Sequence, residues 1–185
     1  MSNTYLSRRS IAFVVSLLLM GFALVGDGAA RAAQDADWAP MQVAGSVIDF
    51  SNDSGGMCSV VGARDARLGT TLARQGQFTV QCLFRDSDAR DSARETIRSE
   101  QLYGTVSARM LRLPRLPYSQ NLLTILVVDR QKELREKGLT AGEMLRVLAP
   151  LGTGYVGSSG GGAGSMSDLK EALAAAGATD IEVVK

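Results

Sequence analysis

The 185-residue sequence contains no histidine, which removes the commonest general base and the commonest metal ligand together. Any chemistry is left to carboxylates, tyrosine, cysteine or backbone. Cysteine is nearly absent too. Cys58 and Cys82 are the only two, and a single pair offers no metal-site spacing, so both read as small buried hydrophobes. Charge imbalance is also lacking: a formal net charge of +1 gives no electrostatic reason to expect nucleic acid or an acidic surface as partner. What the chain does have, 45% hydrophobic and 21% charged residues, is the composition of one ordinary globular domain, long enough for one well-buried core.

The first residues read as an address. Arg8 and Arg9 give a positive start, Ile11 to Gly26 is an almost unbroken apolar run, and Ala30-Arg31-Ala32 supplies the small residues that a signal peptidase reads. Residues 1–32 are therefore expected to be a cleaved signal peptide, with the mature chain starting at Ala33 and Ile11 to Val25 making few contacts with the domain. The apolar run is short of the roughly 20 residues of a spanning helix; an uncleaved anchor is the alternative. Ser7-Arg8-Arg9-Ser10-Ile11 also resembles a twin-arginine export signal, though the residues after the pair fit it loosely. The expected location is periplasmic or extracellular, and no membrane contact is expected after cleavage.

After a short linker, 33–44, the pattern alternates. Met41 to Phe50 reads as a short helix, and Met57 to Val61, Phe78 to Leu83, Val106 to Met110, Leu122 to Asp129, Thr153 to Val156 and Ile181 to Val184 as strands. Between them lie helices over Ala66 to Arg74, Ser87 to Gln101 (with Ser87 and Asp88 as caps), Thr140 to Leu148 and Met166 to Ala176. LLTILVVD, the most hydrophobic strand, belongs at the centre. Strands alternating with helices predict an α/β fold, a three-layer, Rossmann-like, mainly parallel sheet with helices on both faces. On neighbouring parallel strands Cys58 and Cys82 would be offset by two residues, roughly 8 Å apart. That exceeds the limit of about 7 Å for a bridge, so no disulfide is expected.

In such sheets ligands sit beyond the carboxyl ends of the strands where strand order reverses, which directs attention to the turn after Met57 to Val61. There the order and spacing become specific. VVGARDARLGTTLAR, LPRLPYSQNLLTILVVD and EMLRVLAPLGTGYV together resemble a class I S-adenosylmethionine-dependent methyltransferase over residues 45–185. More narrowly, Leu116-Pro117-Tyr118, Asn121-Leu122 and Gly157-Ser158-Ser159 are similar to the methyltransferase-like domain that precedes a pyrroloquinoline-quinone (PQQ)-type β-propeller in some exported bacterial proteins. That resemblance implies a β-propeller as a possible C-terminal neighbour in a parent chain. The methyltransferase fold also implies a further strand, antiparallel to its neighbours, after Ile181 to Val184, so the domain is expected to be truncated at that edge.

The resemblance implies a cofactor site whose expected residues are largely replaced. The acid two places before the first glycine is Val60, and the three alternating glycines are Gly62, Arg64 and Ala66. The carboxylate that accepts the ribose hydroxyls is Phe84, with Asp86 two residues late, and the acid near the adenine falls at Arg112 or Leu113. Gly62 and Asp86 are what remains of a cofactor-binding set. Asp129, at the end of the central strand, is the weak catalytic candidate; an ordinary exposed strand-end carboxylate is the alternative. GSSGGGAG, Gly157 to Gly164, lacks the lysine and Ser/Thr of a phosphate-binding loop and follows the fifth strand of the alternating pattern, so it reads as a linker or surface loop. The expectation is a non-catalytic, methyltransferase-like binding or structural module that binds no cofactor. The alternatives are an active S-adenosylmethionine-dependent methyltransferase and a nicotinamide-dinucleotide-binding domain. The last is disfavoured because Gly-x-Gly-x-x-Gly and the ribose-binding acid are missing.

Overall fold

The computed structural model describes residues 12–17, 41–51, 53–158 and 163–184. Its strands are β1 Ala12–Leu17, β2 Gly55–Val61, β3 Gln77–Phe84, β4 Val106–Met110, β5 Leu123–Val128, β6 Leu148–Ser158 and β7 Asp180–Val184. Its helices are α1 over 41–51, α2 Arg67–Gln75, α3 Ser87–Ser99, α4 Gln131–Glu136, α5 Ala141–Val147 and α6 Ala163–Ala176. The seven strands make one sheet in the order β4-β3-β2-β5-β6-β1-β7. Every pairing between them is parallel.

β5 lies fourth of the seven, beside β2, as its apolar run requires. Both of its faces are covered: Leu126 and Val128 enter one core cluster, Ile125 and Val127 the other. A strand buried on both sides has no wet face, which is why LTILVV carries no polar alternation. The first cluster is completed by Leu134 of α4, Met144 and Leu145 of α5, and Leu169 and Leu173 of α6. The second takes Ala44 and Val47 of α1, Leu72 of α2, and Ala93 and Ile97 of α3. Three helices on each side of the sheet give the three layers. In α3, Ala93 and Ile97 are the only buried residues; they stand four apart on one stripe, and the charged remainder faces water.

The N-terminal run departs from expectation. Ala12–Leu17, inside the segment read as making few contacts, is a strand hydrogen-bonded on both sides, to β6 and to β7. The edge beside β6 is thereby filled from the N-terminal side by a parallel strand. Apolar residues with β-branched members satisfy a buried strand as well as a signal core, so composition alone does not separate the two. β6 also starts earlier than expected, at Leu148, and the register slips between the pairs Leu123/Leu148 and Ile125/Thr153. Of Gly157 to Gly164, read as loop, Gly157 and Ser158 end β6 and Ala163 and Gly164 open α6, while 159–162 lie outside the described residues. The proposed cleavage site, Ala30 to Ala33, lies outside them as well. Among the described residues no helix is long and apolar enough to cross a membrane.

Val60 pairs with Cys82 across β2 and β3, and Cys58 with Val80. The cysteines are offset by two positions on one face, and both are free and buried. Burial pushes both thiols up, and the negative charge of Asp65 adds to it for Cys82, which rises to about 12.

Candidate functional site

The carboxyl ends of β2, β3 and β5 meet where the strand order turns back, with β3 on one side of β2 and β5 on the other. In sheets of this type ligands bind at that point. Gly62 leaves β2 with φ +79, and its N–H donates to the Leu83 carbonyl at 3.0 Å. A side chain there would bring its Cβ to 2.8 Å from the Asp129 carbonyl oxygen and 2.9 Å from Leu134 Cδ1. The glycine is thus demanded from inside the fold, by a left-handed turn lying against the end of β5. Ala63 follows with an N–H to the same Leu83 carbonyl at 3.1 Å, and the Asp65 carboxylate accepts from Arg67 N at 2.9 Å to open α2.

The other positions of the expected cofactor set are engaged elsewhere. Val60 is 1% exposed and belongs to the apolar core, as do Ala66 and Phe84. Asp86 is the N-cap of α3, its side chain accepting from Ala89 N at 2.8 Å. Capping falls to Asp86, one residue earlier than the sequence reading placed it, because its extended backbone, φ −104 and ψ 136, lets the carboxylate reach the free N–H groups of the first turn. Leu111 is buried, Leu113 packs against the same cluster, and Arg112 is exposed.

Asp129 is drawn into a network that sequence order hides. Its Oδ2 lies 3.3 Å from Nε of Arg64, and its Oδ1 accepts from Arg130 N at 2.7 Å. Arg130, with φ +53, returns its guanidinium to the Gly62 carbonyl at 3.1 Å. Arg85, from the end of β3, is hydrogen-bonded to Glu133 on α4, and Glu133 also lies 3.6 Å from Arg130 and 3.9 Å from Lys137. Three guanidiniums and two carboxylates are thus interleaved across the ends of the three strands. These pairs are partly exposed, and exposed pairs contribute about 0–1 kcal/mol each. They therefore add little to stability.

A second polar cluster ties down the loop after β4. Leu116 N donates to Glu143 Oε1 at 2.7 Å, while Arg146 donates to Glu143 Oε2 at 2.7 Å and to the Tyr118 carbonyl at 2.9 Å. The Arg146 hydrogen bond is the main cause that holds the Glu143 carboxyl below the usual glutamate range, and the Leu116 N–H adds to it. Tyr118 shares a buried hydrogen bond of 2.8 Å with Ser59 of β2. Burial pushes its phenol upward against the opposing effect of that bond. Tyr118 and Glu143 are therefore occupied in holding the loop.

Asp129, Gly62 and Asp86 do not converge as a set: Asp129 and Gly62 are joined through Arg130, whereas Asp86 faces its own helix. Arg85, Arg130 and Glu133 were missed because Arg85 stands 48 residues from Glu133 in sequence and all three lie in polar stretches without a motif. Their only sequence signal was position, directly after the second and central strands of the alternation. Among the described residues no group of three or more Cys, Asp or Glu is placed to hold a metal ion.

No protein-family model and no curated protein sequence matches the chain. Solved structures do. A putative S-adenosyl-L-methionine-dependent methyltransferase from Methanococcus maripaludis superposes with a TM-score of 0.59 at 18% identity, over 84% of this chain and 74% of that one. The [4+2]-cyclase SpnF gives 0.61 at 19% identity, over 74% and 57%. A SAM-dependent methyltransferase from Aquifex aeolicus gives 0.52 at 16% identity, over 65% of each chain. This chain thus spans about three quarters of the first and two thirds or less of the other two. With the parallel sheet, its central β5 and the helices on both faces, these likenesses show that the chain has the Rossmann-like fold of class I S-adenosylmethionine-dependent methyltransferases.

Proposed function

We propose that this chain is a non-catalytic, methyltransferase-like module of an exported protein, whose ancestral cofactor cleft is closed by its own side chains. The observation that carries the reading is the contact between Arg64 and Asp129 across the Gly62 turn, with Phe84 sunk in the core where a ribose-binding acid would stand. The residues present do not fit S-adenosylmethionine. Two absent carboxylate contacts forfeit about 3–6 kcal/mol, which takes a micromolar site to roughly 0.2 mM or weaker. Asp129 and Glu133 are already paired with the guanidiniums of Arg64, Arg85 and Arg130, which leaves no spare negative charge there for a sulfonium cation. Asp129, its oxygens engaged by Arg64 and the Arg130 N–H, serves the turn in place of a base.

Export is supported by Arg8 and Arg9, the apolar run and Ala30-Arg31-Ala32. It agrees with a closed cleft, since an exported domain leaves the compartment where S-adenosylmethionine is made. The resemblance at Leu116 to Tyr118 and Gly157 to Ser159 supports a β-propeller of the PQQ type as the module's neighbour in the parent protein. The competing reading, an active methyltransferase, draws its support from the likeness of fold alone, and fold does not carry function.

Thermal denaturation of the full chain with S-adenosylmethionine and, separately, a nicotinamide dinucleotide tests the reading. A micromolar site at a hundredfold excess of ligand would raise the midpoint by roughly 5–10 °C. The module is expected to shift by less than about 1 °C with either. A rise of several degrees with S-adenosylmethionine restores the enzyme.

A further inference from the structure

We propose that the chain can be exported only before it folds, because the folded sheet takes up the core of its own export signal as strand β1. The proposal rests on the export reading above. Ala12 pairs with Thr153 on one side and Asp180 on the other, and the double pairing continues through Ser16, which meets Gly157 and Val184. Five consecutive residues therefore have neighbours in both ladders, so their backbone donors and acceptors are engaged on both flanks. Among the described residues β7 has no other strand beside it. Strands in a sheet lie about 4.8 Å apart, so β6 and β7, separated by one position, stand roughly 10 Å apart and cannot pair while β1 is between them. Withdrawing β1 exposes one edge of β6 and detaches β7 from the sheet.

A signal core works by presenting a run of apolar residues to a membrane or translocation channel. The same residues held as an interior strand present nothing. Folding and export then compete for Ala12–Leu17, and a chain that folds first stays where it was made. This assigns the signal to a route that threads unfolded chains, and sets the paired arginines apart from one that moves folded proteins.

The test offers the full chain to inverted bacterial membrane vesicles, either folded or diluted from urea, and reads protease-protected product with an N-terminus at Ala33. The expected result is import and cleavage of the urea-diluted chain, with the folded chain at least about tenfold slower. In the Leu173→Ala variant, which removes a fully buried side chain of α6 from the layer that leads into β7, the folded chain should be processed about tenfold faster than the parent. Equal processing of folded and unfolded parent chain overturns the proposal and leaves export standing. Processing of neither overturns the export reading itself. Hydrogen exchange on the folded chain gives an independent check: amides of Ala12 to Ser16 protected like that of Tyr155 support the strand, and free exchange there overturns it.

Discussion

Replacing Gly62 by alanine separates a glycine kept for a ligand from one kept for the fold. Two costs are foreseen. The backbone at φ +79 is left-handed, which costs an L-residue roughly 1–2 kcal/mol. The new methyl would also stand 2.8 Å from the Asp129 carbonyl oxygen and 2.9 Å from Leu134 Cδ1; the leucine methyl ends a side chain that can turn, but the carbonyl is backbone and cannot leave without disturbing the end of β5, an overpacking cost of about 1–3 kcal/mol. Together Gly62→Ala should lose about 2–5 kcal/mol. Gly177→Ala is the control, because φ there is +105 but nothing lies within 4 Å of the added carbon. It should show the backbone cost alone, about 1–2 kcal/mol. In urea, with a slope of about 2 kcal/mol per molar, the two midpoints should differ by roughly 0.5–1.5 M. Agreement of the two variants to within about 0.5 kcal/mol would show that the close approach does not constrain Gly62, and would return that glycine to a ligand.

Asp86→Ala should cost about 1 kcal/mol in the same urea measurement, the value of a lost N-cap; a neutral result would free Asp86 for another role. Glu143 has a carboxyl held below its ordinary range by Arg146 and the Leu116 N–H. Its stabilisation is therefore complete above the unfolded value, near pH 4.3, and fades as pH falls through the lower folded value. The stability gap between parent and Glu143→Gln should be widest at neutral pH and shrink below about pH 4, and a gap constant between pH 7 and pH 3 would contradict the assigned contacts.

The parts of the fold legible in the sequence were those where one physical demand dominates. Leu123–Val128 is apolar throughout because both of its faces are covered, and Thr140 announces α5 because a hydroxyl before a helical stretch caps it, here accepting from Glu143 N at 3.2 Å. α4 escaped notice because QKELRE shows no apolar stripe, its buried residues being Gln131 and Leu134. β1 was not foreseen as a strand because a short apolar run serves a membrane or a sheet equally well until its neighbours are known. In the cleft, the substitutions at Val60, Arg64, Ala66 and Phe84 could be read position by position. The network joining Arg64, Arg85, Asp129, Arg130 and Glu133 could not, since it depends on which strand ends become neighbours.

Whether the cleft is closed is decided most directly by titration calorimetry of S-adenosylmethionine into the full chain at neutral pH. With Arg64 across the turn and Phe84 in the core, no saturable heat is expected up to roughly 0.1 mM ligand. Saturable, stoichiometric binding with a Kd below about 50 micromolar would contradict the closed cleft and establish a working cofactor site.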